Sequence, residues 1–421
     1  MQPDPLINTV LSEKSWLTSQ PTTTDLWQTA LSLGYPAALW RLPNRADKHL
    51  IVSLDTVLPR VSVDLEELPA GFAISPFDNL DFGPDSPART LFLRADIHAT
   101  FGEQGSKIVE TGTAPAVNRF WQAVAEQPTA KRPASLSLTD LPDPNAQSDY
   151  VHRVAQAVEA MQRGEFRKVV LSRTKRVEFS DTPDAVALFD TLCDTYPTAF
   201  ISAVSLPEHG QIWMSATPER LVSQNADGLF RTLSLAGTQS ATDANGVPKR
   251  PAEAMWSQKE IEEQALVSRY IIECFKKIRL REYLEEGPKT IIAGNLMHLG
   301  TQFTVDTQAV HYPQLGTVML RLLHPTSAVC GMPRDRAFNF IRRHETHDRE
   351  FYAGFLGPVN IGSTEEQPAT DLFVHIRCMK LEGRVATLIA GAGLTEDSVP
   401  EREWQETEMK CQTLLAVLSK P

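Results

Sequence analysis

Cysteine is sparse in this chain of 421 residues: Cys193, Cys274, Cys330, Cys378 and Cys411 are scattered, odd in number and never form a C-x-x-C pair. Zinc sites and disulfide frameworks need closely spaced or even sets of thiols, so neither is supported and a reducing cytoplasm is the expected compartment. Long apolar runs are missing too. No segment approaches membrane-spanning length, and the N-terminal MQPDPLINTVLSEKSW has neither a basic n-region nor an apolar h-region, so no secretion signal and no membrane anchor are expected. Positive charge is in deficit: at a net charge of −11 the surface repels phosphate backbones, and no basic stripe interleaved with aromatics offsets this. Nucleic acid is excluded as an expected partner. The turn IAGAGL (Ile389 to Leu394) holds too little of G-x-G-x-x-G for a dinucleotide, and G-x-x-x-x-G-K-[ST] does not occur, so nicotinamide and ATP chemistry lack support.

The 42% of apolar residues supply a core for one large domain or two ordinary ones. Residues 1–125 mix short strand-like runs (Ala37–Arg41, Leu50–Leu54, Ala73–Ile74, Thr90–Arg94) with helical stretches near Trp27–Leu33 and Val117–Ala125, and show no catalytic constellation. Gln127–Asp149, rich in Pro, Ser, Asp and Asn, reads as a surface connection. Tyr150–Gln162 has the helical period and stops at Gly164 before a strand, Lys168–Lys175. Further strands are expected at Phe200–Val204, Ile212–Ser215, Leu229–Leu233, Thr290–Ala293, Leu372–Met379 and Arg384–Ala390, and helices at Gln258–Leu284, Arg334–Arg343 and Pro400–Leu418. Their order does not repeat as βαβ, which predicts an α+β fold with extensive antiparallel sheet.

Two glutamate pairs spaced i,i+3 stand out, Glu260 with Glu263 and Glu403 with Glu406. Residues three apart share a helix face, so the four carboxylates could surround one hard cation, in outline a magnesium site. Each glutamate alone has a plainer reading. Ser257 with Glu260 has capping-box spacing, Ser398 and Glu401 could cap the last helix, and Glu406 with Lys410 could be a surface i,i+4 pair worth about 0.3–0.5 kcal/mol. Lys168 shares a strand face with Val170 and Ser172; if that face is buried, desolvation makes it a candidate general base, and otherwise its stem covers apolar surface while its ammonium reaches water. Glu219 follows a strand at a proline turn, as a general acid entering a cleft or as a solvated partner of Arg220. His324 precedes a proline, on extended backbone at a loop mouth, where a hydrogen-bonded structural histidine is the plainer reading. Arg377 lies in an apolar strand and requires an anionic partner.

Read in order, KVVLSR, SATPERL, SLAGT, SQKEIEEQALV, LHPTSAVCGMPR, REFYAGFLG, IRC, AGAG and EREWQETEMK resemble the chorismate-utilising enzymes, which include isochorismate, salicylate, anthranilate and aminodeoxychorismate synthases. The resemblance runs from about Val151 to the C-terminus; residues 1–150 match loosely and are expected to form the N-terminal part of the same fold, with 151–421 the catalytic region. It implies one large α+β fold, antiparallel sheets packed against flanking helices, and magnesium bridging protein to the substrate's ring carboxylate. Carried over by motif, Glu263 and Glu406 match direct metal ligands, and Glu260 and Glu403 match carboxylates acting through metal-bound water. Lys168 matches the base that activates water and Glu219 the acid that protonates the departing C4 hydroxyl. Arg377 and Tyr352 match substrate-carboxylate contacts; Thr238 belongs to the substrate set through the SLAGT segment; Gly391, Gly393 and Lys410 line the anion pocket; and His324 lies beside the ring.

Lys168 stands where anthranilate synthases resemble one another in having glutamine, and Ala236 stands where aminodeoxychorismate synthases place a nucleophilic lysine. The resemblance therefore implies water as nucleophile, no glutamine amidotransferase partner, and isomerisation of chorismate to isochorismate, by a monomer or homodimer. HPTSAVCGMPRD and HDREFYAG look more like the isochorismate synthases of menaquinone pathways than those of siderophore pathways. A salicylate synthase, which goes on to eliminate pyruvate, is the alternative. A non-catalytic chorismate-binding regulator would not need opposed acid and base, and a generic phosphoryl enzyme would need a phosphate-cradling loop.

Overall fold

In the computed structural model, which describes residues 20–79, 87–103, 105–126, 136–243, 247–293, 296–361 and 368–418, the chain forms two antiparallel sheets of eleven and nine strands flanked by helices. This is the α+β architecture expected. The larger sheet runs from Gly331–Met332 and Lys168–Phe179, which also pairs with Leu138–Leu141, through Val385–Leu394, Cys378–Glu382, Gln211–Thr217 and Phe200–Leu206 to Ala37–Arg41, Lys48–Val52, Ile97–Gly102 and Gly105–Glu110. The smaller begins with Leu284–Ala293, Leu296–Asp306 and Leu229–Ser240, continues through Arg220–Asn225 and Pro368–Val374, and ends beyond Phe355–Val359 with Gly71–Ser75, Thr90–Arg94 and Arg60–Val61. Strands from the first 150 residues are thus built into both sheets.

The period of two along each strand sorts the larger sheet's side chains into two cores. Ala38, Trp40, Ile51, Val169, Leu171 and Trp213 face the smaller sheet, where they meet Phe72, Phe230, Phe303 and Phe373. Phe200 and Phe373 stack across that interface with ring centroids 4.1 Å apart. The alternate residues Ala37, Leu39, Leu50, Val52 and Met214 pack against the helices Thr23–Ser32, Ala114–Glu126, Ala185–Thr195 and Pro400–Leu418 through Trp27, Trp121, Phe189 and Leu414.

Three sequence expectations are corrected. The helix expected to run to Leu284 ends at Lys277: Arg279 takes a left-handed backbone (φ 59°) and Leu284 opens a strand. Ile278, Leu280 and Tyr283 pack on the inter-sheet core, so the apolar spacing outlasts the helix. The single strand expected at Leu372–Met379 is two strands in different sheets, broken at 375–377. The surface connection expected over 127–149 contains a strand, Leu138–Leu141, paired with Lys168–Phe179, and the start of the helix Ala146–Gln162; residues 127–135 lie outside the described residues.

Candidate active site

The break at 375–377 is one of two adjoining places where the chain changes sheets. At Pro218–Glu219 it leaves Gln211–Thr217 in the larger sheet for Arg220–Asn225 in the smaller, and at His375–Arg377 it returns from Pro368–Val374 to Cys378–Glu382. The crossings are laced together: Val374 N–H donates to Glu219 O (2.9 Å), Thr217 Oγ1 to Val374 O (2.7 Å) and Ala216 N–H to Arg377 O (3.0 Å). Arg377 takes φ 49° to make the turn. Sheet pairing is interrupted here, and a cavity of about 390 Å³ opens, lined by Glu219 and Arg377 together with Glu260, Glu263, Tyr352, Gly391, Gly393, Glu406 and Lys410.

Glu219 is no solvated partner of Arg220, whose guanidinium binds Asp371 at 2.9 Å instead. Burial pushes its carboxyl up to about 7, and the positive charges of Lys168, Arg377 and Lys410 only partly oppose that rise. A carboxylic acid protonated near neutrality is what a general acid requires. Lys168 is also buried, its side chain 2% exposed, with Nζ 2.7 Å from Glu263 Oε1. The reading in which its ammonium reaches water is overturned. Gly393, its diagonal neighbour on the adjacent strand, has no side chain to spare: a Cβ there would stand 3.2 Å from Glu263 Oε1 and 3.4 Å from Lys168 Cε. On Gly391 a Cβ would come within 2.7 Å of the Tyr352 hydroxyl.

Glu260 caps its helix and also reaches the cavity. Its backbone N–H donates to Ser257 Oγ (3.3 Å), its Oε2 accepts the Ser257 N–H (2.8 Å), and it still lines the cavity. Glu406 pairs with Lys410 (2.7 Å), whose Nζ also donates to Gly391 O (2.8 Å). Ser398 does not serve the last helix as expected; its Oγ accepts the Thr395 N–H at 3.1 Å, upstream of the helix. Arg377, rather than lying in a strand, presents its guanidinium at the crossing. Among the described residues the guanidinium makes no hydrogen bond or ion pair, and burial lowers its proton affinity, opposed by Tyr352, Glu406 and Glu219. An unpaired guanidinium at a cavity wall is a receptor for an anion.

Two of the sequence candidates stand elsewhere. His324 follows the helix Leu315–Leu323 and is buried edge-on against Phe355, ring centroids 5.0 Å apart, away from the cavity lining; burial lowers its pKa to about 3 and keeps it neutral. Glu403 is 3% exposed and does not line the cavity, because its turn of the helix faces the protein interior with Thr407 and Cys411. Thr238 is in the strand Leu229–Ser240, and its side chain lies outside the described residues. Conversely, sequence reasoning missed His298. It lines the cavity, its Nδ1 2.9 Å from Gly237 O, and is kept neutral by burial with a pKa of about 3. A lone histidine in a strand, outside any motif, gave no signal.

Carboxylate oxygens are the donors a hard cation prefers, and Glu260, Glu263 and Glu406 bring them to one cavity from two helices. The donor set therefore fits magnesium in kind. As they stand, no three His, Cys, Asp or Glu side chains among the described residues are gathered tightly enough to hold a metal, since Glu263 and Glu406 are turned onto Lys168 and Lys410. The lysines relieve the repulsion that the sequence pattern alone assigned to a cation.

The sequence pattern described as "chorismate binding enzyme" matches residues 88–419, and the chain belongs to this family. Among similar proteins, the vibriobactin-specific isochorismate synthase of Vibrio cholerae is 27% identical over 70% of this chain and 73% of that protein. Isochorismate synthase EntC of Escherichia coli is 27% identical over 70% of this chain and 75% of its own length. Isochorismate synthase MenF of Escherichia coli is 30% identical over 62% of this chain and 58% of its own length. The solved structure of MenF, the menaquinone-specific isochorismate synthase from Escherichia coli, superposes with a TM-score of 0.73 at 22% identity, over 96% of this chain and 92% of that one. Anthranilate synthase component I from Streptococcus pneumoniae has a TM-score of 0.61 at 21% identity, over 83% and 81%. These likenesses establish the fold. Among the described residues no helix is long and apolar enough to cross a membrane.

Proposed function

We propose that the chain is a magnesium-dependent isochorismate synthase, which adds water at C2 of chorismate and displaces the C4 hydroxyl. The observation that carries the reading is the placement of a buried acid protonated near neutrality, Glu219, under the influence of a buried lysine, Lys168, at a cavity where the Arg377 guanidinium has no hydrogen-bond or ion-pair partner among the described residues. Lys168 takes a proton from the attacking water, and Glu219 gives its proton to the departing hydroxyl as the ring double bond shifts, so a second water leaves and the ring carries its hydroxyl at C2. Arg377 and Lys410 supply the positive charge that a carboxylated substrate needs. Ala236 lines the cavity and offers no amine for a covalent intermediate. Glu263 and Glu406, with Glu260, would hold magnesium, which when bound would neutralise the substrate carboxylate and tie it to the protein.

Chorismate turned over in ¹⁸O-labelled water with magnesium is expected to give isochorismate labelled at its C2 hydroxyl, with ammonium causing no diversion to an aminated product. Chelation should abolish turnover and added magnesium restore it, and Glu263→Gln and Glu406→Gln should weaken metal and substrate binding together, since each removes a ligand oxygen's charge. Chromatography separates the outcomes. Stoichiometric pyruvate with salicylate would move the chain to the lyase branch, ammonium-dependent amination would overturn the role of Lys168, and full turnover in metal-free buffer would remove the magnesium assignment.

A further inference from the structure

Behind the cavity wall lies a buried ion pair that the chemistry above does not use. Arg349 and Glu345, both side chains under 5% exposed, meet in a two-pronged contact, Nε to Oε2 at 2.7 Å and Nη2 to Oε1 at 2.6 Å. The remaining bonds run to backbone and to the Ser172 hydroxyl. Arg349 Nη2 donates to Val170 O (2.7 Å) and Nη1 to Val329 O (2.9 Å), while Glu345 Oε1 accepts the Ser172 N–H (2.6 Å) and hydroxyl (2.9 Å). Arg349 O accepts the Tyr352 N–H at 2.8 Å, and its guanidinium lies 4.2 Å over the Phe77 ring. Neither member of the pair lines the cavity, yet Val170, Val329 and Tyr352 all do.

The grip falls where the site needs it. Val170 and Ser172 are the ladder partners of Gly393 and Gly391, the glycines that make room for Lys168 with Glu263 and for Tyr352. Val170 is two residues along the strand from Lys168 itself. We propose that Arg349, locked by Glu345, is a positioning residue that fixes the strand carrying Lys168 against the loop at Val329 and so sets the aim of the base. The proposal rests on the isochorismate synthase reading. A planar fork reaches two carbonyls and a carboxylate at once, whereas the single ammonium of lysine cannot span those three directions. Catalytic geometry tolerates little error: a misplacement of about 1 Å can cost about a hundredfold in rate.

Arg349→Lys keeps the charge and removes the fork. With the fold verified by circular dichroism and thermal unfolding, kcat for isochorismate formation should fall at least about tenfold while KM changes less than about threefold. The decisive measurement is the same change made in Lys168→Ala protein: a residue acting through Lys168 should add less than about a twofold loss there, because coupled effects do not add. Ser172→Ala, which deletes only the hydroxyl bond to Glu345, is expected to show a smaller kcat loss that likewise vanishes in the Lys168→Ala background, and it carries the test if Arg349→Lys does not fold. Wild-type kcat in folded variants, or equal losses with and without Lys168, would overturn the proposal while leaving the function standing. Wild-type protein that makes no isochorismate would overturn both.

Discussion

Lys168→Ala is expected to lower kcat by roughly 10²- to 10⁴-fold with the fold retained, the range for loss of a general acid–base group. The side chain is buried and bonded only 2.7 Å from Glu263, so truncation also strips that carboxylate of its ammonium, and loss of rate alone would not separate proton transfer from charge pairing. Lys168→Arg makes the separation. Arginine keeps the positive charge and can still pair with Glu263, but it cannot surrender a proton at working pH. A base role predicts that both variants are slow, with circular dichroism unchanged. Near-wild-type turnover in Lys168→Arg would reduce Lys168 to a counter-charge.

Glu219→Gln is expected to cost a similar roughly 10²- to 10⁴-fold in kcat and, at alkaline pH, to stabilise the fold. The carboxyl titrates at 4.5 when exposed and at about 7 in the folded protein, because burial disfavours its charge. Between those values the folded state holds a proton that the unfolded state has lost. Stability from this group is therefore complete below pH 4.5 and declines as pH rises to about 7, by roughly 3 kcal/mol in all. Glutamine is neutral throughout, so its Tm should exceed that of wild type at about pH 8 and match it near pH 4. Wild-type turnover should decline above about pH 7 as the acid loses its proton, a limb absent from the variant's residual activity. A variant no more stable than wild type at pH 8 would mean that Glu219 is not held protonated by burial.

The elements and residues legible in the sequence were those with a local signature. The i,i+3 glutamates, the Ser257–Glu260 cap and the Glu406–Lys410 pair all follow from helical spacing, and the alternation of KVVLSR placed Lys168 on the face opposite Val169 and Leu171, which do pack in the inter-sheet core. What the pattern could not give was the third dimension. Glu219 beside a proline has the same local sequence whether it is solvated or buried, and only the lacing of two sheet crossings decides. LFVHIRCM reads as an unbroken strand because its apolar residues serve two sheets in succession, and nothing in residue type marks the left-handed turn at Arg377. The Glu345–Arg349 pair was hidden for another reason: two charges four apart in a polar stretch look like a helix surface, and their burial comes from Phe77 and the strand at Val170, distant in sequence.

Because acid and guanidinium both sit where the chain passes between the two sheets, the site has no local precursor on the folding pathway. Either sheet alone would bring Glu219 and Arg377 no nearer than the bonds between Thr217, Val374 and Ala216 allow, and those bonds join segments far apart in the chain. Contacts of such long sequence separation are the slow ones to form. Catalysis is therefore a late reporter of folding: after dilution from denaturant, turnover should return behind the circular dichroism signal, and simultaneous recovery would show that the sheets dock as they form.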